Sequence, residues 1–76
     1  MDRTVKKGDV FKHFKGMNVE ILEIAKDSET LEDVVVYKHL GTNELWVRPL
    51  KMFLSKVDKN KYPNIKQEYR FEKIIK

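Results

Sequence analysis

The run Val34-Val35-Val36-Tyr37 restricts the fold of this chain more than any other segment. Four consecutive β-branched or aromatic side chains lose rotamer freedom in a helix but sit without strain on a pleated surface. The run therefore reads as an interior strand. Gly41-Thr42-Asn43 follows Leu40, and Glu44-Leu45-Trp46-Val47-Arg48 then alternates with a two-residue period. Val34 to Arg48 thus spells a hairpin closed by a short Gly/Asn loop. Pro49 ends the ladder because it has no N–H, and it suits the first position of a helical turn. Leu50, Phe53, Leu54 and Val57 stand at i, i+3, i+4 and i+7, the spacing of one or two helical turns packed on a sheet.

The remaining segments fit the same plan. Val10, Phe11 and Phe14 are interleaved with Lys12, His13 and Lys15, and Gly16-Met17-Asn18 supplies turn chemistry for a first hairpin. Its second arm, Asn18 to Lys26, holds Val19, Ile21, Leu22, Ile24 and Ala25, a spacing that suits a strand and is also compatible with a helix. Asp58 to Asn64 carries two Asn, one Pro and three charged side chains, and reads as a loop. In Glu68-Tyr69-Arg70-Phe71-Glu72 the rings share one parity and the charges the other, the pattern of an edge strand guarded by ionic groups. Eight Val and five Ile against a single Ala agree with the strands. The expectation is a mainly β fold, a small SH3-like barrel or roll of five to six short strands, with one short helical turn after Pro49 and residues 1–76 as one domain.

Size and composition then limit function. A chain of 76 residues hides only about three-fifths of its surface on folding, so most large apolar side chains are needed for the core. A shallow groove is expected rather than a deep, dry pocket. The absence of cysteine excludes disulfides, thiolate metal sites and a Cys nucleophile. No apolar run approaches the roughly 18 residues that span a bilayer, and Asp2 beside Arg3 does not resemble the start of a signal peptide. A cytoplasmic protein without membrane partners is expected. The net charge of +4 hides a segregation: residues 17–34 carry −5, while the segments on either side are basic. That balance permits salt-sensitive attraction to phosphate backbones, although +4 is also ordinary for solubility.

Strong catalytic spacings are missing. There is no glycine-rich phosphate loop, His-Glu-x-x-His or Gly-x-Ser-x-Gly, and the only imidazoles, His13 and His39, stand 26 positions apart. No metal, cofactor or catalytic residue is expected. The candidate ligand-binding residues are His13, Lys15, Ser28, Glu29, Thr30, Tyr37, Trp46 and Arg48. His13, between Phe11 and Lys15, can offer an imidazole to an anion or carbonyl; its plainer role is a hydrogen bond to a neighbouring loop. Ser28-Glu29-Thr30 can bind through hydroxyls and a carboxylate, or can close a turn, with Thr30 and Asp33 capping a helical turn. Tyr37, Trp46 and Arg48 on the predicted hairpin can form a stacking platform with a guanidinium that grips a carboxylate or phosphate. In a core this small, packing is the favoured role for Trp46.

The ordered blocks Phe11-Lys12-His13-Phe14-Lys15-Gly16, Asp27-Ser28-Glu29-Thr30, Val35-Val36-Tyr37 and Leu45 to Phe53 resemble a bacterial family of unknown function, the one numbered 1653. The likeness runs from about Gly8 to Val57 and leaves 58–76 as a basic extension. It implies a cytoplasmic, mainly β domain without an established activity. The family pattern commonly has His before Ser-Glu-Thr, where this chain has Asp27, so His13, Glu29 and Arg48 are the polar positions that carry over.

Three functions follow as expectations. The first is a non-catalytic module that binds a peptide, nucleotide or nucleic-acid segment in a shallow groove. The second is an enzyme or enzyme accessory for a phosphorylated or nucleoside metabolite, with His13 as acid/base oriented by Glu29. The third is self-association, or docking to a larger partner, through the basic tail and its edge strand.

Overall fold

The computed structural model describes residues 4–75; Asp2, Arg3 and Lys76 lie outside them. Its elements are β1 (Val10–His13), β2 (Asn18–Lys26), β3 (Asp33–His39), β4 (Leu45–Pro49), α1 (Leu50–Phe53) and β5 (Phe71–Ile75). The strands form one antiparallel sheet in the order β4-β3-β2-β1-β5. The Val34–Tyr37 run lies in β3, between β2 and β4, and Val34, Val35 and Tyr37 are buried. Asn43 takes the left-handed conformation (φ 63°) in the β3–β4 loop, a backbone state that asparagine tolerates better than most residues.

Pairing fixes which side chains share a face. Val19 lies opposite Phe11 and His39, Ile21 opposite Tyr37, Trp46 opposite Tyr37, Arg48 opposite Val35, and Phe71 opposite His13. All therefore belong to the inner face. A core of Phe11, Val19, Ile21, Val35, Tyr37, Phe53 and Phe71 fills its middle. Phe53 covers that face from α1: its ring stacks on Phe71 at 4.1 Å and meets Phe11 edge-on at 5.1 Å.

The sheet does not close into a barrel. Edge strands β4 and β5 are joined through residues 50–70, where α1 is followed by an isolated bridge between Lys56 and Tyr69. The N–H of Val57 donates to the Glu68 carbonyl (2.9 Å), and that of Arg70 to the Ser55 carbonyl (3.0 Å). The helix is shorter than the apolar spacing suggests, because extended pairing takes over at Ser55. Phe53 and Val57 are nevertheless buried, with Leu50 and Leu54 packed against the core. Pro49 ends β4 and takes the N-cap position, one step before that expected.

Two expectations about the strands are corrected. The last strand begins at Phe71 rather than Glu68, because the N–H groups of Glu68 and Tyr69 turn to the Glu72 carboxylate (3.2 and 3.3 Å) instead of a ladder. Trp46 is not a core residue. It is 48% exposed, since the inner face continues past the area that Phe53 covers.

Candidate functional site

At the uncovered end of the inner face, β1 delivers His13, the following turn Lys15, and β4 Trp46 and Arg48. Two adjoining hollows lie there. One, of about 300 Å³, is lined by His13, Phe14, Lys15, Arg48, Asp58, Lys61, Tyr62 and Arg70. The other, of about 260 Å³, is lined by His13, Lys15, Met17, Tyr37, His39, Trp46, Arg48 and Phe71. They share His13, Lys15 and Arg48, and together make one shallow groove.

Five of the eight residues picked from the sequence meet in this groove. Arg48 is held by its Nε donating to the Tyr37 hydroxyl (3.3 Å), with its guanidinium carbon 5.6 Å over the Phe71 ring. Tyr37 is 2% exposed, so its ring belongs to the core and cannot serve as a stacking platform; the hydroxyl aims Arg48. Trp46 instead leans on His39 (5.5 Å between ring centres), which stacks on Tyr37 (5.9 Å). His13 Nδ1 accepts the N–H of Lys15 at 3.1 Å, which orders the turn that presents Lys15 and assigns the imidazole proton to Nε2. The plain role foreseen for His13 is therefore real.

The groove is electropositive. Burial, then Arg48, Lys15, His39 and Arg70, push the His13 pKa down from 6.5 to about 4, so His13 is neutral at pH 7. Among the described residues, no carboxylate lies within ion-pair distance of Lys15, Arg48, Lys61 or Arg70. Asp58, the one acidic residue in the lining, accepts the N–H of Asn60 (3.0 Å) and of Lys61 (3.4 Å) within its own loop. Arg70 Nε is buried without a hydrogen-bond partner among the described residues.

Ser28, Glu29 and Thr30 do not join the groove. They form the β2–β3 turn, in which Asp27 Oδ1 accepts the N–H of Glu29 (2.8 Å) and of Thr30 (3.3 Å), and Thr30 Oγ1 accepts that of Glu32 (3.2 Å). The cap expected of Thr30 with Asp33 is replaced by this turn. His13 stands beside Met17 at the opposite end of β2, and the eight steps from Asn18 to Lys26 cover roughly 26 Å at ~3.3 Å each. Glu29 therefore cannot orient His13, and the proposed acid/base pair loses its geometric basis. Among the described residues no cluster of three or more His, Asp or Glu side chains is placed to hold a metal, and no helix is long and apolar enough to cross a membrane.

Residue selection from the sequence missed Phe14, His39, Lys61, Tyr62 and Arg70. His39 was within reach of parity, standing two residues beyond Tyr37 on the same strand. Arg70 and Lys61 gave no such signal: they enter because the chain before β5 runs alongside the end of β1, where the Phe14 N–H donates to the Arg70 carbonyl (2.9 Å) and the Phe14 ring meets that of Tyr62 (4.9 Å).

Fold and groove together define a small, mainly β domain whose open sheet end carries a cationic hollow. The chain belongs to the family described as protein of unknown function DUF1653, whose model matches residues 9–73. The match passes beyond Val57, so most of the segment read as an extension falls within the family. No curated protein and no solved structure matches the chain.

Proposed function

We propose that this domain is a non-catalytic binding module of the SH3-like kind, cytoplasmic in setting, that holds a nucleotide or nucleic-acid segment in the groove around Arg48. The observation that supports the reading is the convergence of Lys15, Arg48, Lys61 and Arg70, without carboxylate partners among the described residues, beside an exposed indole. Cations left without a counter-ion attract phosphate, and aromatic faces attract bases. An acidic peptide satisfies the cations but leaves Trp46 without a planar partner, so a nucleotide chain fits the lining better.

Titration of a fluorescent single-stranded oligonucleotide at low and moderate salt tests the reading. With two to three phosphates engaged, log K should fall against log salt with a slope of roughly −1.4 to −2. Arg48→Ala should weaken binding about tenfold, as loss of a charge-assisted contact predicts. No binding at any salt, or an Arg48→Ala variant equal to the parent, overturns it.

A further inference from the structure

We infer that the groove takes single-stranded nucleic acid in one orientation, with a phosphate in the hollow beside Arg70 and a base on the face of Trp46. This rests on the proposed function and adds which part of the ligand each end receives.

The two hollows differ in chemistry. Lys61 and Arg70 line only the first, Trp46 and His39 only the second, and Arg48 stands between them. Arg70 lines the first, with its Nε closed to solvent and its charge without an ion-pair partner among the described residues. It shares that lining with Lys61 and Arg48, and a phosphate oxygen is an acceptor suited to a guanidinium.

Rings occur at both ends, but those of the first hollow have lysines beside them. Lys15 Nζ lies 5.5 Å from the Tyr62 ring centre and 5.9 Å from that of Phe14, and Lys61 Nζ lies 5.7 Å from Tyr62. Those ammonium groups compete with a base for the Phe14 and Tyr62 faces. Trp46 is different: half exposed, and supported from behind by His39 and Tyr37, it presents a flat surface with little freedom left to lose on stacking. In a duplex each base already stacks on its neighbours, so only an unpaired strand offers a base to the indole. Trp46 also lies on edge strand β4, from which a longer strand can continue past the domain.

Trp46 is the sole tryptophan, so its emission reports on its own face. The intact chain is titrated with a single strand of about eight nucleotides as RNA and as DNA, with the duplex of the same sequence, and with inorganic polyphosphate. Quenching by a single strand is expected, and whichever strand binds tighter identifies the source. Polyphosphate should displace the strand without quenching, and the duplex should bind at least about tenfold more weakly. By anisotropy of a labelled strand, Trp46→Ala should lose about tenfold in affinity with an unchanged salt slope. Arg70→Gln should lose a similar amount and reduce the slope by about one. Lys61→Gln, at an exposed position, should reduce the slope likewise if Arg70→Gln fails to fold. Strand binding without quenching, duplex binding equal to that of the strand, or a Trp46→Ala variant equal to the parent overturns the orientation while leaving an anion-binding groove. Failure of all four probes overturns the underlying reading instead.

Discussion

Tyr37 and Arg48 are diagonal neighbours across the β3–β4 ladder, and the arginine Nε donates to the tyrosine hydroxyl at 3.3 Å. A residue whose ring is core thus spends its polar end on aiming a cation. The ring anchors to Phe53 and Phe71 (5.6 and 5.8 Å), so the hydroxyl position is fixed by packing and not by a flexible stem. Tyr37→Phe keeps the packing and frees Arg48 to reorient. Stability should fall by about 0.5–1.5 kcal/mol, the net value of one hydrogen bond. Oligonucleotide affinity should fall several-fold with the salt slope intact, because the charge remains. Urea denaturation and salt-dependent titration measure the two effects. Unchanged affinity places the control of Arg48 elsewhere.

The electrostatics of the groove should be visible in the stability of the protein. His13 has a folded pKa of about 4 against an ordinary 6.5. Between these values the unfolded chain binds a proton that the folded chain does not, so stability falls as pH drops from 6.5 toward 4 and this contribution levels off below that. His13→Gln should therefore flatten the pH dependence of the urea midpoint across that window relative to the parent. A bound polyanion should draw the His13 pKa back up by offsetting the neighbouring cations, which the shift of its ring proton in NMR titration records. A pH profile identical in parent and variant refutes the depressed value.

The sequence discloses the ladder better than it discloses the groove, for a physical reason. Val34 to Tyr37 and the Gly/Asn loop announce themselves because strand propensity and turn chemistry are local. The apolar spacing from Leu50 likewise marks the buried Phe53 and Val57, although the helix stops at Phe53. Alternation gives Trp46 its face but not its exposure, which depends on how far Phe53 reaches over the sheet. Arg70 and Lys61 come to His13 only through long-range closure by residues 50–70. The polar triplet Ser28-Glu29-Thr30 illustrates the converse: hydroxyls and a carboxylate that look like ligands are part of a turn organised by Asp27 one residue away.

At the far side of β1, Asp9 is 4% exposed and serves as a staple. Its Oδ2 accepts the Lys6 N–H at 2.9 Å and pairs with Lys73 Nζ of β5 at 3.0 Å, joining the segment before β1 to the last strand. Burial raises its pKa, but the hydrogen bonds and charges of Lys73 and Lys6 outweigh this and hold it below 3.8. The carboxylate therefore supports the fold at neutral pH, and that support disappears as pH falls from about 4 through the folded value. Asp9→Asn should cost about 1–3 kcal/mol, as for loss of charge-assisted hydrogen bonds at a buried group. Adding Lys73→Met should recover part of the loss, because the second ion is no longer left without its partner. Oligonucleotide affinity should not change. A Lys73→Met effect that simply adds to that of Asp9→Asn denies the coupling.

Leu31 and Asn43 offer a reciprocal test of backbone strain. Both have φ of 63°, yet one is a bulky residue at the β2–β3 turn and the other an asparagine in the β3–β4 loop. The left-handed state costs an ordinary L-residue roughly 1–2 kcal/mol, and less for Asn, whose short polar side chain bonds locally. Leu31 is 72% exposed, so little burial is lost on replacing it, and its N–H bond to the Asp27 carbonyl (2.7 Å) survives any such change. Leu31→Asn should therefore stabilise the protein by about 0.5–1 kcal/mol, and Asn43→Leu should destabilise it by a similar amount, half or more of the full αL cost. Urea midpoints of the two variants decide the matter, and the double variant should lie near the parent because the loops are separate. A loss of stability in Leu31→Asn means that the leucine side chain, which borders a hollow with Leu50 and Lys51, contributes more by packing than its backbone costs in strain.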